Sequence, residues 1–380
     1  MAEARLNRLV RKRLGPFPAL RIEQLTAEAD RFPTEQPESD ATAKWDATTL
    51  IAVHVSAGGV TGFGYSYGHA AAVRVIQETL SAQVLQQNPM DIPRVFDQLS
   101  RAVRNFGREG IAATAISALD IALWDLKARL LGIPLHELLG TRRRNIPLYA
   151  SGGFTSYSIA QLENQLHGWR AQGFPAAKIK LGSGPQTDLE RVRRARAALG
   201  ADVLLMTDAN GAYDAAHAAG LKARLAEFEV TWFEEPVSSN DFDGLSFVRR
   251  QPPATVRVTA GEYGWTPLHQ LQLLRGGCVD VLQVDVTRCL GVSGLLEASA
   301  LANAFEIPLS AHTAPSIHAR VCAAAPRLEH IEYFHDHVLL EQLCFDGFIA
   351  PRHGHIELES TSPGHGLTLR ARELEPYRVT

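Results

Sequence analysis

The distribution of apolar positions divides the chain into an N-terminal part with alternating patterns and a longer part with repeated short apolar runs. In the N-terminal part, ALRIEQLTAEA and ATTLIAVHVSA alternate between apolar and polar residues, and GGVTGFGYSY begins with a Gly-Gly turn. Such alternation is typical of half-buried strands. The segment between the first two, residues 30–46, is rich in Pro, Ser, Asp and Thr and is predicted to be an unusually long loop.

Helical patterns follow these strands. Residues 70–86 show one, and the run GIAATAISALDIALWDLKARLLG is apolar on nearly every side, which predicts a buried helix. This helix is expected to end at Gly132, since Pro134 follows two residues later. Strands followed by helices predict an α+β domain that ends near residue 140.

From residue 145 onward, short apolar runs alternate with helical stretches at intervals of about 20 to 30 residues, as in repeated βα units. The predicted strands are IPLYAS, AAKIKL, VLLMTD, VTWFEE, RVTAGE, VLQVDV, IPLSAH and LEHIEY. They predict a closed (β/α)8 barrel of the TIM type. An open doubly wound sheet is the alternative, but no GxGxxG turn follows the first strand.

The barrel pattern stops after about residue 340, and the remaining loops and short strands are expected to fold back on the N-terminal domain. The predicted division is therefore a capping domain at residues 1–140, a barrel at 141–345 and a C-terminal segment at 346–380 that completes the capping domain.

Polar residues stand at the carboxyl ends of the predicted barrel strands, where the active sites of such barrels lie. In strand order they are Lys178 and Lys180, Asp208 and Asn210, Glu234 and Glu235, Glu262, Asp285, His312, and Glu332. Three successive strands thus carry carboxylates that would converge, and oxygen-only ligands favour a hard divalent ion such as Mg²⁺. The alternative is that each carboxylate caps a helix or pairs with a surface arginine. Alternation lets only one of Glu234 and Glu235 point into the barrel, and does not say which.

The remaining polar residues at the strand ends suggest acid–base chemistry. Asp285 and His312 end neighbouring strands, so the carboxylate can accept the imidazole N–H and fix its tautomer. Lys178 and Lys180 share one face of a strand, and we expect burial and the second ammonium to lower the pKa of Lys180. His330 is a weaker candidate for the pocket wall. The other histidines are expected to be structural or exposed: His318, His335, His337, His353, His355 and His365.

Composition narrows the class of protein. The net charge is −3 over 380 residues, with 46% hydrophobic and 21% charged residues, which gives no reason to expect nucleic acid or a membrane surface as partner. The basic segment RLNRLVRKRLG has no apolar stretch after it and is interpreted as a solvated or subunit-contacting tail. No apolar run is long enough to span a bilayer. Four cysteines without CxxC spacing are expected to be buried thiols of a cytoplasmic protein.

The ordered motifs resemble those of the enolase superfamily, in its mandelate racemase / muconate lactonizing enzyme-like family and the mandelate racemase subgroup. The matching pieces are KIK, TDAN, WFEEP, AGE, QVDVTRCLGVSG and SAHTAP, together with ALDIALWDLKARLLGIPLHELLG in the capping domain. The resemblance covers nearly the whole chain. One departure is Leu290 in CLGVSG, where relatives often carry the first of two glycines, and a local loop adjustment is expected there.

The resemblance implies roles for these residues. Asp208, Glu234 and Glu262 would bind one Mg²⁺, with Mn²⁺ able to replace it. Lys180, with Lys178 beside it, would be one acid/base, and the Asp285–His312 pair the other, on the opposite face of the substrate. A protonated Glu332 would hydrogen-bond the substrate carboxylate. Four further residues are candidates for substrate contacts: Asn210, Tyr65, Tyr67 and Lys44.

The implied reaction is Mg²⁺-dependent removal of the proton α to a carboxylate, through an ene-diolate. We favour dehydration of an acid sugar, an aldonate or aldarate. A racemase or epimerase of a 2-hydroxy acid, a lactone cycloisomerase, and a barrel that binds metal or sugar acid without turnover are the alternatives. The partners implied are a small-molecule carboxylate and further copies of the chain, in a dimer or octamer.

Overall fold

The computed structural model describes residues 20–358 and 361–379, so the basic N-terminal segment lies outside the described residues. The strands are β1 Gln24–Ser39, β2 Lys44–Ala57, β3 Val60–Tyr67, β4 Asn145–Gly152, β5 Ala176–Lys180, β6 Leu204–Asp208, β7 Val230–Glu234, β8 Arg257–Ala260, β9 Val281–Val284, β10 Leu309–Ala311, β11 Leu328–Phe334, β12 Phe345–Asp346, β13 His355–Glu357 and β14 Thr368–Leu369.

The α-helices are α1 Ala71–Val75, α2 Ser81–Val84, α3 Ile92–Ala102, α4 Ile111–Leu131, α5 Leu135–Leu139, α6 Ile159–Ala171, α7 Pro185–Leu199, α8 Ala215–Ala226, α9 Phe242–Arg250, α10 Pro267–Arg275, α11 Gly291–Ala304, α12 Pro315–Cys322, α13 His335–Cys344 and α14 Ala371–Leu374. A π-helical turn, Ile76–Leu80, joins α1 to α2, and a 3₁₀ turn, Glu375–Tyr377, follows α14.

The capping domain contains a three-stranded antiparallel sheet in the order β1-β2-β3. The prediction of a loop over residues 30–46 is wrong, because β1 extends to Ser39 and β2 already begins at Lys44. The prolines that suggested a loop are tolerated because β1 is an edge strand and its register shifts between Pro33 and Glu38. The connection is a short turn whose backbone bonds to Asp40.

Helix α4 is the buried helix that the sequence predicts, and it packs on β3. It ends at Gly132 in a left-handed conformation, as expected. Close contact depends on two glycines of β3: a Cβ at Gly62 would lie 2.4 Å from the Ala122 carbonyl oxygen, and one at Gly64 2.2 Å from that of Ala118. The sheet and α4 thus share one apolar core.

The barrel closes as predicted. Strands β4 to β11 run parallel in sequence order, and β11 also pairs with β4. The predicted (β/α)8 architecture is therefore confirmed in the described part of the chain. Because all eight strands point the same way, their carboxyl ends meet at one mouth, which the capping sheet partly covers.

The C-terminal segment contacts both larger units. Strand β13 pairs antiparallel with β4 of the barrel, while the buried His365 contacts the capping domain. Its backbone N–H donates to Asp125 of α4 at 2.7 Å, and its Nε2 lies 2.7 Å from the carbonyl oxygen of Phe63 in β3. These contacts agree with the expected return of the chain, whereas the exact domain limits stay a prediction.

Leu290 occupies the position where a glycine was expected. Its φ is 69° and its ψ 29°, in the left-handed region that favours glycine, which costs a leucine about 1 kcal/mol. The side chain is buried and packs with the apolar core of the capping domain. Burial of a leucine stabilises by about 2 kcal/mol and so offsets the backbone cost.

All four cysteines are buried and free, as expected for structural thiols. Within residues 20–358 and 361–379, no helix combines the length and the apolar character needed to cross a membrane.

Candidate active site

Three carboxylates converge at the mouth of the barrel. Asp208 ends β6 and lies opposite Glu234 at the end of β7, while Glu262 follows β8 directly. One oxygen of each lies within 4.8 Å of the others, and all three side chains are buried. The backbone turns to a φ of 36° at Glu235, and it is Glu234 that belongs to this carboxylate triad.

Each lysine of β5 pairs with a different part of the triad. Lys180 Nζ lies 2.5 Å from Asp208 Oδ2. Lys178 Nζ donates to both oxygens of Glu234 at 2.7 Å and lies 2.8 Å from Glu332 Oε1. The two ammonium groups that share a strand face are therefore compensated by carboxylates from three other strands.

The expectation that the pKa of Lys180 is lowered is wrong for this arrangement. Burial, and then the neighbouring charge of Lys178, do lower the pKa of Lys180, as expected from the sequence. The carboxylates of Asp208, Glu262 and Glu234 together outweigh them, and the pKa of Lys180 lies above its usual value. Burial likewise favours neutral Lys178, but Glu234 and Glu332 hold its pKa well above the usual range.

Asp285 and His312 form the predicted pair. His312 Nδ1 lies 2.8 Å from Asp285 Oδ2, and its Nε2 lies 3.2 Å from Glu262 Oε2. Burial alone would raise the pKa of Asp285, but the hydrogen bond and charge of His312 hold it below the usual range. The backbone N–H and hydroxyl of Thr287 also donate to Asp285 at 2.7 Å. The imidazole is thus oriented with Nε2 toward the triad.

Glu332 lies where the sequence predicts, but its protonation state differs from the one expected. It accepts a hydrogen bond from the backbone N–H of Thr313 at 3.0 Å and pairs with Lys178. Burial raises the pKa of Glu332, yet Lys178 and His312 together hold it below the usual value. The expectation of a protonated Glu332 is therefore wrong here.

A cavity of about 340 Å³ lies between the capping sheet and the barrel mouth, lined by Lys180, Glu262, His312 and other residues. Of the four candidates for substrate contacts, Asn210 and Tyr67 line it. Tyr65 does not, because its hydroxyl donates to Glu341 at 2.7 Å in the core. Lys44 does not either, because its side chain is exposed while the neighbouring Trp45 turns toward the cavity.

The histidine assignments hold in part. His318 is structural, since its Nε2 accepts the backbone N–H of Val286 at 2.8 Å. His330 contacts the rings of Tyr149 and Trp232 and does not line the cavity. The expectation of a structural or exposed His337 is wrong, because His337 lines the cavity.

Several residues that line the cavity were not predicted from the sequence. Asp336 and His337 lie in the first turn of α13, which begins directly after β11, so their position just after a barrel strand is the signal that could have found them. Arg288 lies in the turn after β9 and is 3.4 Å from Glu262 Oε1. Asp40 and Trp45 belong to the hairpin mistaken for a loop, and its strands could not be recognised from their polar composition.

Glu38 and Asp336 form a buried pair of acids where the capping sheet meets the barrel. Burial first, and then the hydrogen bond and charge of Asp336, raise the pKa of Glu38 to about 10. Glu38 is therefore protonated at neutral pH and can donate toward Asp336. Asp336 Oδ2 also accepts the Trp45 Nε1 hydrogen at 3.1 Å.

Stability should fall with rising pH because of Glu38. A folded-state pKa above the unfolded value means that the folded chain binds the proton more tightly, so this contribution is present at low pH and is lost as pH rises toward 10. The wild-type protein should lose about 1 kcal/mol or more of its free energy of unfolding between pH 6 and 9. Glu38→Gln should not show this loss, because its amide replaces the protonated acid and does not ionise. Thermal unfolding of both proteins at pH 6 and 9 checks this; equal pH slopes would contradict it.

The triad suits a divalent cation. Its donors are all oxygens, and Glu262 Oε2 is buried and accepts no hydrogen bond from the described residues. Three converging carboxylates with an unsatisfied oxygen are typical of a site for Mg²⁺ rather than for a softer metal.

Comparison with known families agrees with this geometry. Residues 22–140 match the family described as "Mandelate racemase / muconate lactonizing enzyme, N-terminal domain", and residues 161–374 match "Enolase C-terminal domain-like". The chain belongs to the mandelate racemase / muconate lactonizing enzyme family of the enolase superfamily. The resemblance stated from the motifs is thereby confirmed.

Curated members of the family similar to this chain carry different activities. The chain is 33% identical over 355 residues to L-talarate/galactarate dehydratase of Salmonella typhimurium, covering 88% of each protein. It is 32% identical over 283 residues to D-galactarolactone cycloisomerase of Agrobacterium fabrum, covering 73% of this chain and 74% of the relative. It is 30% identical over 367 residues to D-gluconate dehydratase of Thermoproteus tenax, covering 90% and 72%.

Solved structures of the family superpose on nearly the whole chain. A mandelate racemase/muconate lactonizing enzyme-like protein from Rubrobacter xylanophilus has a TM-score of 0.92 and 45% identity, over 94% of this chain and 100% of that one. A racemase from Streptomyces coelicolor A3(2), with bound magnesium, has a TM-score of 0.89 and 28% identity, over 94% and 100%.

Proposed function

We propose that this chain is a Mg²⁺-dependent dehydratase that removes the α-proton of an acid sugar and then eliminates its β-hydroxyl. The observation that carries the proposal is the flanking of the carboxylate triad by two bases. Lys180 contacts Asp208 at one end of the triad, and His312 contacts Glu262 at the other. The dehydratases among the relatives support the choice of reaction.

The cation would be held by Asp208, Glu234 and Glu262. When bound, Mg²⁺ would neutralise these carboxylates and stabilise the negative charge that develops on the substrate carboxylate when its α-proton leaves. The magnesium in the related Streptomyces structure supports the choice of ion.

The proton steps belong to Lys180 and His312. Lys180 lines the cavity, and its Nζ could take the α-proton of an acid bound above the triad as the neutral amine. Pairing with Asp208 disfavours this form, which would become accessible once Asp208 holds the cation instead. His312 presents Nε2 from the other end, so that it can protonate the leaving β-hydroxyl while Asp285 stabilises the imidazolium. Lys178 and Glu332 neutralise each other's charge, and Lys178 also holds Glu234 of the triad in place.

Racemisation or epimerisation is the second candidate, because bases at both ends of the triad could also return the proton to the opposite face. A lactone cycloisomerase would use the same proton abstraction without loss of water. The predicted dimer or octamer and the cytoplasmic location belong to this proposal as well.

The reaction class can be tested by α-proton exchange in D₂O with Mg²⁺ over a panel of sugar acids. Exchange together with release of a 2-keto-3-deoxy acid is the expected result. Exchange with recovery of an epimer and no loss of water would favour the racemase, and absence of exchange with every acid would contradict the proposal.

A further inference from the structure

One part of the cavity wall differs in charge from the floor of the cavity, which Lys180, Glu262, Arg288 and His312 form at the barrel mouth. This part of the wall is formed by the capping hairpin and by the residues after β11, and it includes Asp40, Trp45, Thr48, Tyr67, Asp336 and His337. We call this the upper wall. Among the described residues that line it, none is a lysine or an arginine.

The two cations of the cavity are already engaged at the floor. Lys180 pairs with Asp208 at 2.5 Å. Arg288 lies 3.4 Å from Glu262, 3.6 Å from Asp285, and 5.0 Å from the centre of the Tyr263 ring. Neither is therefore a free partner for a second anionic group of a substrate.

The upper wall presents neutral polar atoms without partners. The hydroxyl of Tyr67 and Nδ1 of His337 are buried and form no hydrogen bond with any described residue. The residues are 6% and 8% exposed, and their ring centres lie 3.9 Å apart. Burial and nearby His312 lower the pKa of His337 to about 3, so the ring is a neutral donor and acceptor. Buried polar groups of this kind need hydrogen-bond partners, and the hydroxyls of a bound sugar chain can both donate to them and accept from them.

The charged groups of the upper wall are acidic. Asp336 accepts the Trp45 hydrogen bond and lies beside Glu38, a second buried carboxyl group. Asp40 lines the same region from the capping turn. A carboxylate placed there would meet like charges in a partly desolvated space, where repulsion is much stronger than in water.

We propose that the upper wall makes the site selective for a monocarboxylic sugar acid, an aldonate, over the dicarboxylic aldarate of the same configuration. Tyr67 and His337 bind hydroxyls of its chain, and Asp40 and Asp336 disfavour a second carboxylate. The inference rests on the proposed function and deepens it. The names of the relatives do not decide the matter, since they include both a galactarate and a gluconate dehydratase.

Matched pairs of acids test the selectivity: D-gluconate with D-glucarate, and D-galactonate with galactarate, each with Mg²⁺ and with α-proton exchange and dehydration as readouts. In any pair that reacts, kcat/KM for the aldonate should exceed that for the aldarate by about tenfold or more, which corresponds to about 1.4 kcal/mol. An aldarate that reacts equally well or better overturns this inference but leaves the proposed function standing. No exchange with any acid would contradict the proposed function itself.

Asp336→Asn tests the role of charge in the upper wall. The amide can still accept from Trp45 and can donate to Glu38, so folding should be kept. The aldonate-to-aldarate ratio of kcat/KM should fall about tenfold or more, whereas Asp46→Asn, an exposed acid of the capping sheet that pairs with Arg31, should leave it unchanged. Equal loss with both substrates in Asp336→Asn would indicate a merely structural role and overturn the proposal.

Tyr67→Phe tests the neutral contacts. Its hydroxyl has no hydrogen-bond partner among the residues that the structure describes, so the melting temperature should not fall. We expect kcat/KM for the aldonate to drop by about fivefold to tenfold, the value of one lost hydrogen bond. An unchanged kcat/KM would show that Tyr67 does not bind the substrate.

Discussion

Lys180→Ala is expected to lower kcat for α-proton exchange and for dehydration by about 10³-fold or more, the usual range for loss of a general acid–base group. Binding of the acid sugar should change by no more than about threefold, because the metal ligands and the upper wall remain in place. Lys180 lines the cavity and contacts Asp208 at one end of the triad. Isotope exchange and a binding titration on the same protein measure the two effects separately.

His312→Asn supplies the control for folding in that experiment. Lys180→Ala leaves the buried Asp208 without its partner, which can destabilise the apo protein. The asparagine amide, by contrast, can still donate to Asp285. Under the assigned roles, Lys180→Ala should lose both α-proton exchange and dehydration, whereas His312→Asn should lose dehydration and keep the α-proton exchange that Lys180 performs. Retention of more than about a tenth of kcat in both variants would contradict the assigned roles.

The barrel and the triad could be predicted because both follow from short-range patterns. Each barrel strand is a short apolar run, and parallel strands must bring their carboxyl ends together, so Asp208, Glu234 and Glu262 converge once the barrel closes. The Asp285–His312 pair follows from the same reasoning, since β9 and β10 are neighbours. The charge state of Lys180 could not be predicted, because it depends on which carboxylate lies nearest in space.

The capping hairpin shows why the rest was missed. Residues 30–46 are polar because β1 is an edge strand and because the turn and the start of β2 face the cavity, so no apolar alternation marks this segment as a hairpin. Tyr65 and Tyr67 share a strand face, but only the structure shows that Tyr65 is held by Glu341 in the core whereas Tyr67 reaches the cavity. Whether a side chain on a given strand face reaches the cavity or the core depends on the tertiary structure, and periodicity along the sequence does not predict it.

Glu262→Gln is expected to abolish both Mg²⁺ binding and turnover. Wild-type protein should bind one Mg²⁺ per chain, and saturating Mg²⁺ should stabilise it, by about 2.7 kcal/mol at one hundred times the Kd. Chelation should remove activity and added Mg²⁺ should restore it. In Glu262→Gln the rise in melting temperature with Mg²⁺ should disappear and kcat should fall by about 10³-fold, because the triad loses one of its three carboxylates.

Glu235→Gln is the matched control, because Glu235 is a buried carboxyl adjacent in sequence to Glu234 and outside the triad. Burial, then the charges of Glu262 and Asp208, raise the pKa of Glu235 well above the usual value, so its protonated form already resembles glutamine. This variant should keep the Mg²⁺-dependent rise in melting temperature. If Mg²⁺ fails to stabilise Glu235→Gln but still stabilises Glu262→Gln, then Glu235 rather than Glu262 binds the metal, and the proposed ligand set is wrong.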